Sequence, residues 1–152
     1  MNTRIDLSQM PKGLLDGMMK TELYIKKSGF DLKLIELVKY RVSQINKCGY
    51  CLDMHHKEAL ALGETELRLH TLIAYKECPY FEDYEKAALE FAENLTLAHQ
   101  KEIDDRLYDL LQQHFSIEQI AILTLVITQI NAWNRLNKTI GAVPGTYIEN
   151  TI

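Results

Sequence analysis

Apolar residues at Leu34, Leu37, Val38, Val42 and Ile45 recur at three- and four-residue spacing, and this stripe constrains the fold more than any other feature of the chain. The period describes one buried face of a helix and does not fit a strand, whose faces alternate every second residue. Asp31 stands where an N-cap belongs. Asn46 and Lys47 interrupt the pattern, and a new helix is expected from Cys48 to Leu62, with Gly63 as a left-handed stop. The helix before so short a break can fold back over the start of the helix after it.

The remaining segments read as helices too. Leu14, Leu15, Met18, Met19 and Leu23 predict a first helix that ends at Gly29, after an extended lead-in from Met1 to Lys12. A helix is expected from Thr65 to Tyr75, and a loop from Glu77 to Tyr80, because Pro79 disfavours helix before it. Ala87, Ala88, Phe91, Ala92 and Leu95 place another helix over Asp83 to Leu97, and a shorter one follows from Asp104 to Gln113. Ser116 and Gln119 form a capping-box pair that opens the last long helix. Its β-branched run from Ile120 to Ile130 could be a strand by itself. Length and the helical spacing of Asn131, Asn134 and Asn137 decide for helix, followed by a turn at Gly141 to Gly145 and a short tail. The fold class is therefore all-α, with six or seven helices in a single domain spanning residues 1–152.

Charge narrows the partners. The net charge is −4 with no basic block, so nothing supplies the phosphate neutralisation that drives nucleic-acid binding. Arg4, Asp6, Lys12, Asp16 and Lys20 interrupt any secretory apolar core near the start, and the last helix is too short and too rich in threonine to span a bilayer. The expectation is a cytoplasmic protein with no membrane or nucleic-acid partner. Three cysteines in such a chain point to redox or metal chemistry rather than to a disulfide framework.

Cys48 and Cys51 are the pair that could do it. On a helix, residues three apart have α-carbons about 5 to 6 Å from each other, within disulfide range. A helix N-terminus favours the thiolate. His55 lies one turn beyond Cys51 on the same face, and Glu36 sits on the preceding helix, with Tyr40 and Gln44 continuing a polar row beside the thiols. A zinc site built from Cys48, Cys51 and His55 lacks a fourth ligand, for which Glu36 or Cys78 would have to serve. No metal or other cofactor is expected. His56 reads as a solvated neighbour, Cys78 as a loop thiol and Trp133 as a packing anchor.

The spacing Glu-x11-Cys-x2-Cys-x3-His from Glu36 to His55, the segment Ala87 to Thr96 and the run Asn131 to Arg135 resemble the AhpD-like alkyl hydroperoxidases of the carboxymuconolactone decarboxylase superfamily. The resemblance implies reduction of hydrogen or organic peroxides, with Cys51 as the peroxidatic thiol and Cys48 condensing with its sulfenic acid to form a disulfide. It implies a Glu36–His55 proton relay, a dithiol reductant such as a lipoyl-bearing protein, and assembly into homotrimers or homohexamers. From the residues, Cys51 has the nearer base, and Cys48 is expected to be the more open sulfur. Some family members have a histidine between the cysteines, where this chain has Tyr50, a phenol that can donate a hydrogen bond but is a poor base at neutral pH. The alternatives are a lactone decarboxylase, whose chemistry needs no cysteine pair, and a non-catalytic redox-sensing oligomer.

Overall fold

The computed structural model describes residues 3–148; Met1, Asn2 and the tail beyond Ile148 lie outside the described residues. Among these are seven α-helices and no strand: α1 (Asp16–Lys27), α2 (Leu32–Ile45), α3 (Gly49–Ala61), α4 (Glu66–Thr71), α5 (Asp83–Thr96), α6 (Asp105–Gln112) and α7 (Ile117–Ile140). Two 3₁₀ turns, Leu7–Gln9 and Leu72–Glu77, complete the set.

Helix α2 is the hub, packing on α3, α5 and α7. Its stripe of Leu34, Leu37, Val38 and Val42 is buried as the period requires, and the Asp31 carboxylate accepts the Lys33 amide at 2.9 Å to cap it. Helix α7 lies across the assembly and also touches α1, α3, α5 and α6. The Ser116–Gln119 capping box forms at its start in both directions.

The turn from α2 to α3 decides where the cysteines sit. Lys47 takes a left-handed conformation (φ 52°), its amide bonds Gln44 O, and the Cys48 amide reaches back to Ser43 O at 3.1 Å. This is a Schellman closure, and it places Cys48 at the N-cap of the next helix. The far end of α3 closes at Gly63 (φ 83°), as its sequence position predicts.

Three expectations need correction. The lead-in is not simply extended, because Asp6 and Gln9 form a capping box around the 3₁₀ turn at Leu7–Gln9. Helix α1 starts only at Asp16, and the apolar stripe expected of it faces outward: Leu14, ahead of the helix, is 56% exposed and Leu23 51%, while Ile25 is buried. The side of α1 that meets α7 carries Met18 and Glu22 instead, where Gln129 donates to Met18 O and the Trp133 indole to Glu22. The segment from Thr65 to Tyr75 is not one helix either. It tightens at Leu72 and leaves helical geometry at Ala74 (φ −118°), and Leu72 and Tyr75 are both buried.

Candidate active site

Glu36, on the second turn of α2, and His55, on α3, meet in the core, with His55 Nδ1 2.7 Å from Glu36 Oε2. Burial opposes the Glu36 charge, but His55 and the Lys39 ammonium at 3.4 Å outweigh it and hold the carboxyl down at about 2. The base is therefore oriented by a permanent anion. Lys39 is itself buried and also bonds Glu22 Oε2 at 3.0 Å.

Cys48 and Cys51 are free thiols facing each other at the head of α3. The Cys51 S–H bonds toward Cys48 and brings that thiol down to about 7 against the pull of burial, helped by the Cys51 and Tyr50 amides at the helix start and by Lys138. The same contact, with burial, pushes Cys51 up. When the reduced pair ionises, its one negative charge thus rests on Cys48 and is hydrogen-bonded by Cys51. His55 follows Cys51 by one turn of α3, which brings relay and dithiol to the same face.

Sequence reasoning missed the contribution of α7. Asn137 Nδ2 donates to Cys51 Sγ at 3.4 Å, and Lys138 Nζ bonds Asn46 O at 2.9 Å beside Cys48. Asn46 in turn donates to Asn131 and Asn134, and Asn134 to Ser43, which fastens the turn before the cysteines to α7. The available signal was a row of asparagines three residues apart on a helix otherwise rich in apolar residues. Trp133 is the packing anchor expected, half-buried with its indole satisfied. Cys78 is a loop thiol bonded to Ala74 O, and His56 pairs with Glu66 at the surface. Among the described residues no group of three or more His, Cys, Asp or Glu side chains is arranged to hold a metal ion, and no single helix is long and apolar enough to cross a membrane.

The expected openness of Cys48 is not found, since both cysteine residues are 1% exposed. Core packing covers them on one side. A strap formed by residues 142–148 leaves the end of α7 and runs along α3. Gly145 N donates to Asp53 at 2.9 Å, Lys57 Nζ to Tyr147 O at 2.9 Å and Tyr147 OH to Glu58. Any side chain at position 49 would meet the Pro144 ring at 3.1 Å. On the other flank a groove of about 500 Å³ opens between α2 and α3, lined by Tyr40, Gln44, Lys47, Gly49, Leu52 and Ile73 among others. Tyr50 keeps its proton at neutral pH, because burial and the nearby Cys51 and Asp53 raise its pKa.

Asp53→Ala removes one strap anchor, a bond to a charged acceptor of about 1.5–3 kcal/mol. Iodoacetamide alkylation of the reduced thiols should then be about tenfold faster, with the folded state otherwise intact. An unchanged alkylation rate would show that the strap does not control access to the thiols.

The fold and this site define an AhpD-like, all-helical dithiol protein. A profile of the Carboxymuconolactone decarboxylase family matches residues 12–94, more than half of the chain, and the chain belongs to that family. Over 93% of its length it is 40% identical to the uncharacterized protein YdfG of Bacillus subtilis (strain 168), covering 96% of that protein. Among solved structures it is similar to a protein of unknown function from Agrobacterium tumefaciens linked to AhpD-type antioxidant defence, with a TM-score of 0.91 and 30% identity, over 96% of this chain and 100% of that one. It also shares the fold of a peroxidase-related protein with an AhpD core from Ralstonia eutropha JMP134, with a TM-score of 0.76 and 21% identity over 86% of this chain and 70% of that one.

Proposed function

We propose that the protein is a thiol peroxidase that reduces hydrogen or organic peroxides through a Cys48–Cys51 dithiol/disulfide cycle. The observation that carries this reading is the buried 2.7 Å Glu36–His55 contact one turn from the paired thiols, which supplies an oriented proton donor beside a nucleophile.

The steps balance as follows. The Cys51 proton passes along its hydrogen bond to the Cys48 thiolate, which makes Cys51 the nucleophile. Cys51 attacks the terminal peroxide oxygen and the O–O bond breaks. Cys51 becomes a sulfenic acid, and protonated His55 gives its proton to the departing alkoxide. Cys48 then surrenders its proton to His55 and displaces hydroxide from the sulfenic sulfur, and His55 returns the proton to make water. The disulfide is reduced by thiol exchange with a dithiol donor, for which a lipoyl-bearing protein is one candidate. Leu52, Leu69 and Ile73 give the groove an apolar wall suited to the organic part of an alkyl peroxide.

A reducing, cytoplasmic compartment would keep the resting dithiol available. Exposed Leu14, Met19, Leu23 and Tyr24 on and beside α1 offer apolar surface for the trimers or hexamers implied by the resemblance. A lactone decarboxylase would have no use for the dithiol.

In the test, reduced protein is mixed anaerobically with one equivalent of tert-butyl hydroperoxide. One equivalent of tert-butanol should appear with the loss of two hydrogens from the Cys48–Cys51 peptide. Because the reaction needs the singly charged pair together with a protonated His55, only the acid limb of its pH profile should follow the Cys48 ionisation at about 7. Peroxide left intact by fully reduced, folded protein would remove the peroxidase reading.

A further inference from the structure

The relay does not stop at Glu36. Lys39 Nζ lies 3.4 Å from Glu36 Oε1 and 3.0 Å from Glu22 Oε2, and Glu22 Oε1 accepts the Trp133 indole N–H at 2.9 Å. The chain from His55 through Glu36 and Lys39 to Glu22 thus runs from α3 across α2 to α1, and α7 pins its far end. Lys39 is only 7% exposed, an uncommon place for an ammonium group, which requires paired charges to persist there. The two carboxylates raise its affinity for its proton against the cost of burial, so it remains a cation.

We propose that Lys39 and Glu22 are positioning residues that set the protonation of His55 by charge count. Two carboxylates and one ammonium leave one negative charge uncancelled in this set, whose Glu22 end is partly exposed, and a protonated His55 cancels it. Glu22, on a different helix from the thiols, therefore favours the imidazolium that must protonate the leaving alkoxide. Trp133 donates to the Glu22 carboxylate and holds it in place beside Lys39. The other titratable or charged groups nearby are Tyr50, Cys51 and Glu58 on α3, Lys138 at the end of α7, and Tyr147 on the strap. Their hydrogen bonds among the described residues go elsewhere: Asn137 to Cys51, Lys138 to Asn46 and Tyr147 to Glu58.

The inference rests on the reading of Glu36 and His55 as the pair that serves the thiols, but its test needs no peroxide. The His55 Cε1–H resonance, identified by its loss in His55→Gln, is followed against pH in the reduced protein. Glu22→Gln leaves Lys39 to cancel Glu36, and the imidazole titration should move to lower pH by about one unit. Lys39→Met leaves two uncancelled carboxylates, and the titration should move about as far to higher pH. Lys39→Arg keeps the charge and should retain the wild-type midpoint. A purely structural role does not produce opposite displacements from two variants of one ion pair. Displacement of both in the same direction, or of neither, would overturn the proposal. Should Lys39→Met not fold, Glu22→Gln decides it: a midpoint that stays put or rises there is equally fatal. A normal set of displacements in a protein that does not turn over peroxide would retain the charge network and reject only the peroxidase.

Discussion

Replacing Cys51 by serine is expected to lower peroxide turnover by at least about 10³-fold, the largest effect of any single substitution in this chain. A serine hydroxyl stays protonated at neutral pH and has no sulfur to accept the transferred oxygen, so neither the attack nor the sulfenic acid can occur. Cys48→Ser should behave differently. It retains the nucleophile and the neighbouring His55 but loses the resolving thiol, so one equivalent of peroxide is consumed and the product stops at a Cys51 sulfenic acid that a dimedone adduct reveals by mass. The pair of variants also tests the assignment of roles. The resting negative charge sits on Cys48, whose thiol is brought down to about 7, while Cys51 is pushed up. Charge alone would favour Cys48 as the attacking atom. Proximity to the proton donor favours Cys51, because the alkoxide must be protonated as the O–O bond breaks. A dimedone adduct on Cys48 in the Cys51→Ser protein would exchange the two roles and leave the reaction class intact.

The parts of this site within one stretch of sequence were legible, and the parts that tertiary packing delivers were not. Glu36, Cys48, Cys51 and His55 all lie within a helix, a break and a helix, so helical period and one turn of reach sufficed to bring them together. Asn137 is 86 residues from the sulfur it touches, and only the packing of α7 on α3 creates that contact. The strap was invisible for the same reason, since nothing local ties Gly145 or Tyr147 to Asp53 and Lys57. Burial of the sulfurs follows from this too: Cys48 occupies a helix start, ordinarily an open position, but α7 brings Asn137 and Lys138 up against the pair.

The fold shows the same division. Helices α5, α6 and α7 begin and end within a residue or two of where the sequence pattern places them, α5 by its apolar positions and α7 by its Ser116–Gln119 box. The first helix misled because Leu14, Met19 and Leu23 of its apolar stripe face outward, and apolar periodicity does not say which side a neighbour will cover. The 3₁₀ segment after α4 carries no distinctive residue pattern before Pro79, so its tightening could not be read.

Glu36→Gln is nearly isosteric and removes the charge that faces His55 Nδ1 and Lys39 Nζ, and turnover of alkyl hydroperoxides should fall about 10²-fold or more. The loss should depend on the leaving group. A tertiary alkoxide is strongly basic and leaves slowly without a proton, whereas a peroxy acid departs as a carboxylate that needs none. Turnover of tert-butyl hydroperoxide should therefore collapse while that of peracetic acid changes little, a contrast that general unfolding or a displaced cysteine would not generate. The same substitution has a pH signature in stability. The folded-state carboxyl titrates at about 2 against an ordinary 4.5, so Glu36 favours the folded state above pH 4.5, and that contribution disappears as pH falls through about 2. Wild type should thus have a higher melting temperature than Glu36→Gln near neutrality, with the difference shrinking only in acid. Equal losses toward the alkyl hydroperoxide and the peracid would mean that Glu36 holds the helices together and takes no part in moving the proton.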